Sequence, residues 1–100
     1  MPRGVQRARV DANHVAVVAA LRAAGMSVVS LAAVGNGCPD LVVGWRGRNV
    51  LLEIKDGSKP PSARKLTPDE AKFHNEWMGY VVIAESPLEA VQKVMRYCNL

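Results

Sequence analysis

Gly37-Cys38-Pro39-Asp40 and Glu53-Ile54-Lys55, with twelve residues between Asp40 and Glu53, place two carboxylates and one ammonium within a short stretch of chain. The chemistry that needs such a set is hydrolysis of a phosphodiester. A hard divalent cation bound by carboxylate oxygens polarises the phosphate, lowers the pKa of a bound water and screens developing charge. Mg²⁺, or Mn²⁺ in its place, suits Asp40 and Glu53, and the main-chain carbonyl of Ile54 is a natural third oxygen. Lys55 would orient the water or stabilise charge in the transition state. Acidic residues and lysine are depleted in strands, yet here they close the apolar run Val50-Leu51-Leu52. The plain alternative is a solvated strand face at Glu53 and Lys55, with Pro39-Asp40 merely opening a strand.

The elements that must position these groups are a hairpin. Residues 41–45 and 50–54 are strand-like runs, and Arg46-Gly47-Arg48-Asn49 supplies the glycine of a tight reversal. With Gly47 and Arg48 as a two-residue turn, Arg46 faces Asn49, Val42 faces Glu53 and Asp40 faces Lys55, so Asp40, Glu53 and Lys55 share one face. A slip of one residue would throw Asp40 to the other side. Around the hairpin, Asp11 can cap a helix running to about Ala24 and stopped by Gly25. Ser27 to Val34 reads as a strand, broken by Gly35-Asn36-Gly37. These glycines serve either a plain turn or close approach of backbone to a phosphate or metal. Residues 56–66 form a polar, basic loop, expected to be a DNA-facing flap that orders on binding, with Lys59, Arg64 and Lys65 reaching phosphates. Thr67-Pro68-Asp69-Glu70 is a capping box opening a helix through Phe73, His74 and Trp77 to Gly79. Tyr80 to Ala84 is an apolar run suited to a buried central strand, and Ser86-Pro87-Leu88-Glu89 opens a last helix ending near Tyr97.

Pro39-Asp40, the twelve-residue spacer and Glu53-Ile54-Lys55 resemble the PD-(D/E)XK nuclease signature. More narrowly, the chain is similar to small stand-alone VRR-NUC domains of phages and bacteria. That likeness runs from about Asp11 to about Val94 and takes in Gly35 to Leu41, Leu52 to Lys55, and Leu66-Thr67-Pro68 with His74 and Trp77 downstream. It implies a restriction-endonuclease-like α/β fold, an αβββαβ core with a mixed central sheet flanked by helices. It also implies a metal-dependent DNA endonuclease in which Asp40 and Glu53 bind metal and Lys55 is the catalytic lysine. Branched DNA such as a four-way junction is the implied substrate, and a homodimer would present two sites. The chain departs from the family at Glu70, where a glutamine is frequent, and at Asn13-His14, where many members carry an acid. Asn13, His14, Glu70 and His74 are therefore only accessory candidates. The rival function is a non-catalytic DNA-binding module with a degenerate nuclease site.

A chain of 100 residues, 49% of them apolar, accommodates one domain with a modest core. The net charge of +4 favours a polyanionic partner. Arg3, Arg7 and Arg9 crowd a basic tail over residues 1–10, while Lys59, Arg64 and Lys65 crowd the later loop. Two cysteines without paired spacing, no signal peptide and no spanning apolar stretch point to a reducing cytoplasm and no membrane. Cys38, Cys98, His14 and His74 lack the short ligand spacings of zinc modules, and Cys38 reads as a small hydrophobe beside the site.

Overall fold

The computed structural model describes residues 12–99; the basic tail and the Asp11 cap expected from the sequence lie outside the described residues. The elements run α1 (Ala12–Ala23), β1 (Ser27–Ser30), β2 (Leu41–Trp45), β3 (Arg48–Ile54), a 3₁₀ turn (Pro61–Ala63), α2 (Pro68–Glu76), β4 (Val81–Ala84) and α3 (Pro87–Cys98). The four strands form one mixed sheet in the order β1-β2-β3-β4, antiparallel except for the parallel β3–β4 pair. This is an α/β architecture with the expected element order, but β4 lies at the sheet edge, buried on one side only, and not at the centre as its apolar run suggests.

Alternation along the strands gives the sheet one buried face. Leu41 and Val43 on β2, Val50 and Leu52 on β3, and Val82 and Ala84 on β4 point into a core closed by Val17 and Leu21 of α1 and by Ala90, Val94 and Cys98 of α3. Spacings of four residues put each helical set on a single stripe. Gly25, at φ +88°, ends α1 in a Schellman arrangement: Met26 N–H reaches the Leu21 carbonyl and Gly25 N–H the Arg22 carbonyl. Asp40, Val42, Gly44, Asn49, Leu51, Glu53 and Lys55 belong by alternation to the opposite face.

The hairpin register differs from the expected one by two residues. Trp45 pairs with Arg48 and Leu41 with Leu52, so the two turn residues are Arg46 and Gly47, and Asp40 stands level with Glu53 rather than Lys55. Both turn residues have positive φ, +53° and +79°, the type I′ geometry that matches strand twist and prefers glycine second. Arg46 holds its left-handed conformation at a cost of about 1 kcal/mol relative to glycine. Because the shift is two residues and not one, no side chain changes face, and the grouping of Asp40, Glu53 and Lys55 survives.

Two elements are shorter than their sequence patterns. β1 stops at Ser30 instead of Val34: Leu31 N–H still bonds the Asp40 carbonyl, but the chain then turns, with Ala32 N–H on Ser30 Oγ and Val34 N–H on the Leu31 carbonyl. α2 stops at Glu76 instead of Gly79, where Trp77 turns to extended backbone with its indole stacked 5.2 Å from Phe73. The basic loop makes hydrogen bonds within itself and to the end of β4. Ser58 N–H bonds Asp56 Oδ1, Ala63 N–H bonds the Pro60 carbonyl, and Gly57 N–H ties the loop to Glu85.

The Gly35–Gly37 turn packs on the first turn of α2. Gly37 has φ +79°, and a Cβ there would collide with the Asp69 carbonyl, whereas at Gly35, φ +74°, a Cβ would meet open space. Gly37→Ala is therefore expected to cost at least about 2 kcal/mol and Gly35→Ala about 1 kcal/mol. Urea denaturation of the two variants checks this; equal losses would contradict the close approach.

Candidate active site

β3 runs two residues past the start of β2, leaving the Ile54 N–H without a strand partner. Asp40 supplies one: its Oδ2 accepts that N–H at 2.7 Å. This bond turns the aspartate toward β3 and fixes it beside Glu53. Because a strand residue's N–H and C=O leave on the same side, the Ile54 carbonyl emerges toward Asp40 as well.

Glu53 is 3% exposed, the one charge-bearing side chain fully buried among the described residues. Its Oε1 is fully buried with no hydrogen-bond donor. Burial, then the charges of Asp40 and Glu70 and a hydrogen bond shared with Asp40, push its carboxyl from an ordinary 4.5 up to about 9. Lys55 Nζ, 3.9 Å from Glu53 Oε2, opposes this only in part. The stronger partner of Lys55 is Glu70, whose Oε1 lies 2.9 Å from Nζ. The same oxygen accepts the Thr67 N–H at 2.8 Å, completing the capping box of α2. Burial alone would raise the Glu70 carboxyl, but the bonds from Thr67 and Lys55 and the Lys55 charge outweigh it and hold it below its ordinary value.

The other expected residues divide. His74 is half-buried on α2 with Nε2 enclosed and unpartnered; burial lowers its pKa, the Glu70 charge opposes and the Lys55 charge adds to the fall. It is thus within electrostatic reach of the site. Asn13 Nδ2 donates to the Lys55 carbonyl at 2.9 Å and more weakly to the Glu85 carbonyl at 3.5 Å. It clamps the exits of β3 and β4, and its amide donors face main-chain oxygens. His14 lines a hollow on the surface of α1 with Val15, Val18 and Arg22. Cys38 sits half-buried near the acids, its thiol pushed up by burial and then by Glu53 and Asp40, while Cys98 is core. Lys59 and Lys65 are exposed on the loop, but Arg64 folds back onto Glu85, Nη1 to Oε1 at 3.1 Å.

Sequence reading missed Glu85. It follows the strand paired in parallel with β3, so the exits of two parallel strands deliver Lys55 and Glu85 side by side, the usual location of a ligand crevice in such sheets. The parallel pairing of a distant strand is the signal that would have found it.

Among the described residues, no three or more His, Cys, Asp or Glu side chains are grouped so as to hold a metal ion. A cation at this site would be shared between Asp40, Glu53 and main-chain or water oxygens, a ligand set Mg²⁺ accepts. The orphaned Glu53 Oε1 and the mutual repulsion of the acids fit that use. Comparison with protein-family models, curated proteins and solved structures gives no match. No described helix is long and apolar enough to cross a membrane.

The native state keeps the Glu53 proton up to about pH 9, whereas the unfolded chain releases it near 4.5. Between those values the folded form binds more protons, so stability falls as pH rises, by at most about 1.4 kcal/mol per pH unit for one group. In EDTA, Glu53→Gln is expected to melt above the wild type at pH 8.5, with the gap closing toward pH 5. Parallel melting curves for the two proteins would contradict the buried, protonated assignment.

Proposed function

We propose that the chain is a Mg²⁺- or Mn²⁺-dependent endonuclease that hydrolyses phosphodiester bonds of DNA, with branched DNA such as a four-way junction as the substrate class. The observation that carries this reading is the convergence of Asp40, held by the Ile54 N–H, with a buried Glu53 whose Oε1 has no donor. Asp40, Glu53 and the Ile54 carbonyl would hold the cation, which when bound supplies Lewis acidity and a more acidic water. The chain's own residues do the rest. On binding, Glu53 would release its proton to solvent and offer a carboxylate oxygen to the cation. Lys55, held at 2.9 Å by Glu70, keeps an ammonium directed at the scissile phosphate, where it stabilises charge that develops on the phosphoryl oxygens. Asn13 fixes the Lys55 carbonyl and so the place where β3 leaves the sheet.

The element order, helix, three antiparallel strands, helix and a strand parallel to β3, supports a restriction-endonuclease-like core. Exposed Lys59 and Lys65 and the net charge of +4 suit a polyanion. Cutting both strands of a duplex favours a homodimer with two sites, acting in the cytoplasm. Non-catalytic DNA binding is the second reading, and the pairing of Lys55 with Glu70 favours it, since an ammonium neutralised by a carboxylate is a weaker catalyst.

Purified protein incubated with supercoiled plasmid and a synthetic four-way junction in Mg²⁺, Mn²⁺ or EDTA separates the two. Metal-dependent nicking is expected, reduced about 100-fold or more in Glu53→Gln and in Lys55→Ala at unchanged folding. A junction that is bound but never cut, or variants that cut at the wild-type rate, would overturn the nuclease reading.

A further inference from the structure

The end of the sheet opposite the acids carries a second set of groups that the hydrolytic site does not use. Ser27, Gly44 and Asn49 form one row across β1, β2 and β3 on the same face as Glu53. Gly44 leaves a dent between its polar neighbours: a Cβ there would come 3.2 Å from Asn49 Oδ1 and 3.7 Å from the Ser27 Cβ. This row borders a hollow of about 400 Å³ at the end of the sheet, completed by Gly25, by the turn residues Arg46 and Gly47, and by Trp45 and Arg48 from the other face, with no acidic side chain in its wall. Arg46 lies with its guanidinium over the Trp45 ring, 4.5 Å from its centre, a cation–π contact at the tip of the hairpin. Arg46 also occupies the first position of the type I′ turn at φ +53°, where asparagine or glycine would be easier. The turn itself does not need an arginine at that strained position, stacked on an aromatic ring beside the hollow.

We infer that this hairpin end is a second contact for the sugar-phosphate backbone of the DNA, gripping a duplex arm that extends from the acids past the hairpin end of the sheet. The inference rests on the nuclease reading for the identity of the ligand. Its geometry sets a length. Arg48 and Ile54 are the ends of β3, six residues apart, or about 20 Å at a strand's rise. A duplex must therefore extend about six base pairs beyond the scissile phosphate before it reaches Arg46.

The test uses the full chain and fluorescein-labelled branched DNA whose arms are roughly 4 or 12 base pairs long, each closed by a hairpin loop, with affinity read by anisotropy over a NaCl series in EDTA. Long arms are expected to bind about fivefold or more tighter than short arms. Arg46→Gly relieves the backbone strain and removes the charge, so the variant should melt no lower than the wild type. Its long-arm advantage should fall below about twofold, with the salt slope on long arms reduced by about one. Wild-type-like ratios and slopes in Arg46→Gly, equal affinity of wild type for both arm lengths, or no measurable binding to either, would overturn the inference. Because no cleavage is measured, a failed nuclease assay and a failed arm-length effect are separate results.

Discussion

A strand that outruns its neighbour leaves backbone donors with nothing to bond, and a buried donor left that way is costly. Here the donor is the Ile54 N–H, and the group that takes it is the Asp40 carboxylate at 2.7 Å. That one bond fastens the start of β2 to the end of β3. It sets an acidic side chain beside a second acid that the sheet has already buried, and it leaves the Ile54 carbonyl on the same side. The site follows from where the ladder stops.

The electrostatic consequence is a carboxyl pair that resists double ionisation. Glu53, walled in by the sheet and faced by Asp40 and Glu70, keeps its proton well above the ordinary carboxylate range. The lysine that could have relieved it is claimed by Glu70 at 2.9 Å, against 3.9 Å to Glu53. Glu70 in turn is anchored by the capping box at the start of α2, so the position of the ammonium depends on how that helix begins. The Gly35–Gly37 turn packs against the same first turn of α2 at Gly37. Helix start, lysine and acids thus form one mechanical unit, and a ligand that added positive charge between Asp40 and Glu53 would act on all of it.

Most of the fold was legible because its signals are local: Gly25 stopping α1, the Thr67–Glu70 capping box, and the apolar alternation of β2 and β3. The grouping of Asp40, Glu53 and Lys55 was legible too, since face parity depends only on whether a register shift is odd or even. The register itself was not. Arg46-Gly47 and Gly47-Arg48 both offer one glycine, and the choice went to the turn with glycine second despite an arginine at φ +53°. β1 ends at the Leu31–Val34 turn and α2 where Trp77 stacks on Phe73, and neither stop has a local signature in the sequence. The roles of Asn13 and Glu85 were hidden for the same reason, as both depend on β3 and β4 leaving the sheet side by side.

The account's central claim is that Asp40 and Glu53 jointly form an oxygen site for a divalent cation. Anomalous diffraction at the manganese edge, from crystals grown with Mn²⁺, tests it most directly. A peak bridging the Asp40 and Glu53 carboxylates, with the Ile54 carbonyl among its ligands, is the expected result. An ordered protein in saturating Mn²⁺ with no peak there, or with Asp40 rotated off the Ile54 N–H and away from Glu53, would contradict it.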